Sequence, residues 1–312
     1  MFEIINLAVP FFGLVALGAM AARIWSTGEE GLAWLNIFLV YFALPALIFK
    51  VVADAPFEKL VSWPFVTTTT AVTVVAFLGV YAAGRFAFKQ RGRVAALMGT
   101  AGSYGNVGYM GLPLAVAFFG PQAAVPAALV FCFDCAAEFV LTPLLVALDH
   151  EGGEDAHWGN IALRVMRQVF YHPFIIATIL GVIASGFTFK APGALGTIIE
   201  MLMRAAGPCA LFALGATVAM RKFAGLGPEL PLLIIVKTIL QPLAAYTALQ
   251  LVPGLDPAWL HVGVMMAALP TASNAFIMAS HAKAYVEGAS TAVIVSTCVS
   301  AVTIPLIVYI LR

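Results

Sequence analysis

The stretch Gly99-Thr-Ala-Gly102-Ser-Tyr-Gly105-Asn106-Val-Gly108-Tyr-Met-Gly111-Leu-Pro113 is apolar enough for a membrane span and yet poorly suited to a continuous helix. Its five glycines stand at every third position, and each costs about 1 kcal/mol against alanine in a helix. Pro113 then removes a backbone donor and crowds the preceding turn. A second interruption, Leu269-Pro270-Thr271-Ala272-Ser273-Asn274, lies at the centre of another apolar run. Two such breaks in one chain are the features from which its architecture can be read.

Around them the composition is that of a lipid-phase protein. Of 312 residues, 62% are hydrophobic and 10% charged, and the mean hydropathy is +1.00. Soluble domains carry about a quarter charged residues, so the polar surface that water-soluble domains need is missing. A net charge of +1 without a Lys/Arg tract excludes a nucleic-acid partner. Cys132, Cys135, Cys209 and Cys298 all lie in apolar stretches, which argues against a disulfide framework. Met1-Phe2-Glu3 has no basic segment, so the first apolar run is expected to be a span and not a signal peptide.

A span needs about 20 mainly apolar residues. Ten such runs are expected, at roughly 4–23, 33–53, 62–88, 94–118, 122–148, 167–187, 194–220, 230–252, 258–281 and 288–311. Basic residues in short loops set orientation. With Arg85, Lys89, Arg91 and Arg93 in the cytoplasm, Arg23, Arg164, Arg167, Arg221, Lys222 and Lys283 join them. Lys59, Lys190 and Arg312 fall on the other side, with Lys50 near its rim, where its stem is expected to snorkel. A multi-pass protein of a bacterial inner membrane with both termini outside is the resulting expectation.

The halves echo each other. Pro10-Phe11 matches Pro173-Phe174, Pro45 matches Pro208, Asn106 matches Asn274 and Pro143 matches Pro305. Residues 1–148 and 167–312 then form two five-helix repeats joined by a polar linker at 149–166, and an odd number of spans turns the second copy upside down. Inverted repeats with interrupted helices are characteristic of carriers, whose site lies where the repeats meet. Unwound backbone is tolerated at that depth only inside protein or along a cavity. Half-helix ends with free amides, near Gly105 and Thr271, favour an anion. Close helix packing through small residues is the other reading of the glycines.

Ionisable residues inside a span are functional candidates. Asp134 and Glu138 share a helix face at i, i+4, and two close carboxylates resist ionising together. That suits proton coupling; pairing with Lys237 as a structural bridge is the alternative. Lys237 and Gln241 repeat the spacing ahead of Pro242, with the lysine either holding a carboxylate substrate or countering Asp134. Glu200 and Arg204 are expected to form an ordinary surface pair. Cys132-Phe-Asp-Cys135 is read as packing and not redox chemistry, and His150-Glu-Gly-Gly-Glu-Asp-Ala-His157 lacks zinc-helix spacing. The glycine series has neither a dinucleotide-fold context nor a Walker lysine, and no HExxH or paired aspartate motif supports a membrane enzyme. No metal or cofactor is expected.

At these positions the chain resembles the auxin efflux carrier family, which includes the plant PIN carriers and many bacterial permeases. Asn106-Val-Gly-Tyr-Met-Gly-Leu-Pro113-Leu carries the resemblance most specifically. Gly207-Pro208-Cys-Ala-Leu-Phe-Ala-Leu-Gly215, Lys237 with Pro242, and Leu269-Pro-Thr-Ala-Ser-Asn274-Ala-Phe extend it over nearly the whole length. The resemblance implies an all-α membrane protein of ten helices in two inverted five-helix repeats, with helices 4 and 9 broken and crossed, as in bile-acid symporters and sodium/proton antiporters. It implies a scaffold of helices 1, 2, 6 and 7, a transport unit of helices 3–5 and 8–10, elevator-like movement and a homodimer. Its bacterial members are linked to malonate and other small carboxylates. The long hydrophilic loop of many plant carriers is absent here.

The expectation is a secondary carrier of a mono- or dicarboxylate such as malonate, coupled to H⁺ or, as the alternative, Na⁺; a membrane sensor or channel of the same fold is the remaining alternative. Asn106, Asn274, Gly105, Thr271, Ser273, Lys237 and Gln241 are the candidate substrate residues. Pro113 and Pro270 are the candidate crossover prolines, and Asp134 and Glu138 the candidate proton carriers.

Overall fold

Apolar runs leave the backbone one economical solution, which is to satisfy every N–H and C=O within a helix. The computed structural model describes residues 2–25, 29–60, 62–149, 163, 166–167, 170–221, 223 and 225–311, and the protein is all-helical, with no strand among those residues. In chain order α1 is Phe2–Ile24, α2 Gly31–Ala53 and α3 Trp63–Ala87. The next helix is in two pieces, α4a (Gly92–Ser103) and α4b (Val107–Phe119), followed by α5 (Pro121–Leu148) and α6 (Pro173–Gly186). Then come α7 (Gly193–Met220), α8 (Leu230–Gln250), the paired α9a (Pro257–Ala267) and α9b (Ser273–His281), and α10 (Val286–Leu311). Six of these, α2, α3, α5, α7, α8 and α10, are long and apolar enough to cross a bilayer; the apolar part of α1 and α4b, α6 and α9a are shorter.

Each expected apolar run overlaps one of these helices or pairs, six of them of spanning length. The sixth run is interrupted. Residues 166–167 and 170 are helical, but α6 itself starts at Pro173, because a residue before proline is driven out of the helical region and His172 is extended, with φ −69° and ψ 129°. Most of the linker at 149–166 lies outside the described residues, as do Arg164, Lys222 and Arg312 and the side chain of Lys59. Arg204 and Glu200 form the expected exposed pair at 2.6 Å. Lys50 does more than snorkel, pairing with Asp54 at 2.6 Å.

The prolines are absorbed in an unexpected way. Pro45, Pro113 and Pro242 each stand two residues after a wide π-helical turn, at Leu39–Ala43, Val107–Gly111 and Val236–Leu240 respectively. A proline lacks the N–H that an α-helix requires and crowds the preceding turn. Just ahead of each proline the amides of Leu44, Leu112 and Gln241 reach back five residues, to the carbonyls of Leu39, Val107 and Val236, so the turn is widened where the proline enters. Pro113 therefore does not break its helix. The break lies earlier, at Tyr104–Asn106, and Gly99 and Gly102 sit in regular helix.

Two packing groups are evident. α1 lies along α7 and α6 along α2, while α2 also packs on α7. Glycines set these spacings: a Cβ on Gly215 would run into the Val15 carbonyl, and one on Gly181 would lie 2.8 Å from the Val52 Cβ. The second group joins α3 to α4a, α5 and α8, α8 to α9a, and α9b to α10. Hydroxyls buried in the helices mostly bond back to their own backbone, as Thr69 does to Phe65 O (3.1 Å) and Thr297 to Val293 O (2.7 Å). At one end of the bundle the Asp149 carboxylate accepts from the amides of Gly92 (2.9 Å) and Arg93 (2.8 Å), and the Arg93 guanidinium donates to Ala282 O. The basic loop therefore shares an end with the C-termini of α5 and α9b.

Candidate functional site

The two broken helices meet. Tyr104 and Asn106 leave helical geometry (ψ 104° and 55°), and Gly105 faces Thr271 in an antiparallel bridge. The Asn106 amide donates to Pro270 O at 2.7 Å, and the Ala272 amide donates to Tyr104 O at 2.8 Å. Backbone groups freed by one break are thus satisfied by the other, which is what allows unwound chain to lie so deep. Pro270 fits because only its carbonyl is used.

Thr271 clamps this crossing to its neighbours. Its hydroxyl donates to Ala101 O at 2.7 Å, and its amide donates to Ser296 Oγ of α10 at 3.0 Å. The amide expected to face an anion at Thr271 is therefore occupied by a protein acceptor.

Lys237 lies against the crossing. It is fully buried in the π turn of α8, and its ammonium donates to Gln241 Oε1 (2.8 Å) and to Ala267 O (2.7 Å). Ala267 is the last residue of α9a, so the cation sits at the negative end of that half-helix. A Cβ at Gly105 would come within 3.3 Å of Lys237 Nζ, so a bare backbone at 105 is what lets the ammonium approach.

From Lys237 a polar chain runs sideways. Gln241 Nε2 donates to Thr73 Oγ1 (3.3 Å), and Thr73 Oγ1 donates to Asp134 Oδ2 (3.1 Å). No direct ion pair joins Lys237 to either acid among the described residues. Asp134 and Glu138 share the face of α5 that the i, i+4 spacing suggests, but their partners differ. Ser103 at the end of α4a donates to Glu138 Oε1 (2.5 Å), and Thr142 donates to Oε2 (3.4 Å). Asp134 Oδ1 is buried without a partner.

Asn106 is 2% exposed, and its side-chain Nδ2 also has no partner. Asn274, half-buried in the first turn of α9b, lies against the Tyr104 hydroxyl, which shares a 2.9 Å hydrogen bond with Cys135 Sγ. Cys132 and Cys135 are both buried and not joined in a disulfide, and Cys132 Sγ lies 2.7 Å from Thr178 Oγ1. Ser273 contributes its carbonyl, which accepts from Arg221 Nη2 at 3.3 Å. Pro113 stands apart from the crossing, against Gly207 of α7.

Two cavities flank α2 and α7. One, of about 570 Å³, opens among Leu47, Pro113, Gly207, Pro208 and Trp259. The other, of about 630 Å³, is lined by Asn36, Thr217, Arg221, Phe276 and Glu287 among others. Thr73, Ser103, Tyr104 and Ser296 carry no site signal in the sequence, and Arg221 stands there only among the basic residues that set orientation. Hydroxyls are common in spans for packing reasons, and Arg221 carries no local sign beyond its charge.

These features have close relatives. A family model described as "Membrane transport protein" matches residues 3–308. The chain is 40% identical over its full length to a protein of Rhizobium meliloti (strain 1021) named "Putative malonate transporter", covering 97% of that protein. It is 27% identical to an "Uncharacterized transporter" of Methanothermobacter thermautotrophicus, covering 94% of this chain and 93% of the relative. It is 24% identical to the "Uncharacterized transporter YfdV" of Escherichia coli (strain K12), covering 97% and 96%. The chain belongs to the membrane transport protein family, the auxin efflux carriers, and is a multi-pass membrane transporter and not an enzyme.

Proposed function

We propose that this protein is a secondary carrier of small carboxylates, with malonate as the reference substrate and H⁺ as the coupling ion. One observation carries the reading: the stitched crossing of α4 and α9 holds a buried Asn106 Nδ2 donor without a partner, one residue from the Gly105 backbone that Lys237 approaches. A deeply buried donor without a partner is costly, and a solute carboxylate that takes it up at the crossing recovers that cost. Asn106 and Asn274 act as substrate donors, with Gly105, Thr271, Ser273 and Gln241 shaping the site. Lys237 supplies positive potential from behind the crossing, since its ammonium already has two protein acceptors.

Asp134 or Glu138 carries the coupling proton, reached through Thr73 or Ser103. The α1, α2, α6 and α7 group serves as scaffold and dimer contact, and the remaining helices move against it in an elevator-like step. The reciprocal packing of α1 on α7 and of α6 on α2 supports two inverted repeats, residues 1–148 and 167–312. The protein resides in the inner membrane with both termini outside and its basic 85–93 loop in the cytoplasm.

Malonate counterflow in proteoliposomes, with imposed pH or sodium gradients, tests the reading. A pH gradient is expected to drive accumulation, and Asp134→Asn with Glu138→Gln to flatten the pH profile. No malonate flux in the wild type overturns the substrate assignment. A sodium-driven flux indifferent to pH replaces the coupling ion, and an unaltered pH profile in the double variant removes the proton role from these acids.

A further inference from the structure

The cavity among α2, α7, α9b and α10 contains a cation that the crossing does not use. Arg221, at the end of α7, stacks its guanidinium over the Phe276 ring of α9b, 4.1 Å from the centroid. Its Nη2 donates to Ser273 O at 3.3 Å, whereas Nε and Nη1 are buried without a partner. The surrounding space is about 630 Å³ and includes Asn36, Thr217 and Glu287. Glu287 forms no ion pair with Arg221 among the described residues.

A guanidinium is always charged, is weakly hydrated and matches carboxylate geometry better than an ammonium does. Held by an aromatic face, it loses little freedom on binding an anion. Its contact with Ser273, the first residue of α9b, places it beside the end of a half-helix that favours negative charge. Lys237, by contrast, is fully buried and already bonded to Gln241 and Ala267.

We propose that Arg221 is the carboxylate-recognising group of this cavity, receiving a small organic anion there before it reaches the crossing. The proposal rests on the carboxylate reading above. It also makes the Arg221–Ser273 contact a tie between α7 and α9b that substrate loosens.

Malonate binding to the purified full-length protein, by calorimetry and by thermal shift, provides the test, alongside uptake in proteoliposomes. Arg221→Gln is expected to weaken binding and raise the half-saturating concentration about 30-fold or more, the range for a lost charge-assisted hydrogen bond. Arg221→Lys, which keeps the charge and part of the packing, is expected to lose about 5-fold, and so controls for misfolding. Glu287→Gln removes a like charge from the same cavity and is expected to tighten binding. Unchanged malonate affinity in both Arg221 variants overturns the role of Arg221 and leaves the carrier reading intact. Weaker binding in Glu287→Gln, matching that in Arg221→Gln, identifies the arginine as a structural partner of Glu287 and also overturns it. No malonate binding to the wild type overturns the carboxylate reading and this site together.

Discussion

Asn106→Ala separates a residue kept for transport from one kept for folding. The Asn106 Nδ2 is buried and unpartnered, a condition that costs about 1–3 kcal/mol. Removing the carboxamide relieves that cost and leaves a hole of about 45 Å³, which at about 24 cal/mol per Å³ costs roughly 1 kcal/mol. The variant should therefore be as stable as the wild type or up to about 2 kcal/mol more stable, with a melting temperature unchanged or a few degrees higher. Thr271→Ala is the matched comparison at the same crossing. It strands the Ala101 carbonyl, the present acceptor of the Thr271 hydroxyl at 2.7 Å, and should cost about 1–3 kcal/mol. For transport the ranking at Asn106 reverses. A donor to a carboxylate contributes about 1.5–3 kcal/mol, so malonate uptake at limiting concentration should fall roughly 10- to 150-fold. Thermal unfolding in detergent and uptake in proteoliposomes are the two measurements. Uptake by Asn106→Ala close to that of wild type, or a melting loss as large as that of Thr271→Ala, would remove Asn106 from the substrate site.

Other variants probe the frame around the site. Gly215→Ala drives a methyl into the Val15 carbonyl where α1 lies against α7; a destabilisation of about 3 kcal/mol or more is expected, and a near-normal melting temperature would show that these helices yield easily. Lys237→Met leaves Ala267 O and Gln241 Oε1 without their donor, so a lower melting temperature is expected together with loss of transport, and a fully active variant would exclude the lysine from the site. Tyr285, outside the membrane-spanning helices, donates to Glu229 Oε1 at 3.0 Å. Burial and the facing carboxylate raise its phenol above the ordinary value, so on the alkaline side the contact persists through the ordinary tyrosine range near 10 and is lost only as pH climbs through the raised value. Tyr285→Phe should cost about 1 kcal/mol, with no pH dependence between about 6 and 9, and a pH-dependent difference in that window would contradict the assignment.

The solvent, the helical class and the family are legible in the chain alone. Each is a sum or a local pattern: hydropathy over a window, glycine at every third position, the Asn106–Pro113 string. The places where helix would fail were also legible, because glycine and proline act on the backbone within one turn. Their outcomes were less so. Pro113 looked like a breaker and instead follows a π turn, since a widened turn is another way to accommodate a missing donor. Which polar group satisfies which depends on how the helices pack. Gln241 finds Thr73 across 168 positions of chain, Thr271 finds Ala101 across 170, and Asp134 and Glu138 bond to different helices. The same holds for Arg221, whose charge suggested orientation and whose position over Phe276 suggests recognition. A buried polar group is costly until paired, and in a helical membrane protein the unused side-chain partners lie on neighbouring helices, at distances that packing sets and sequence spacing does not.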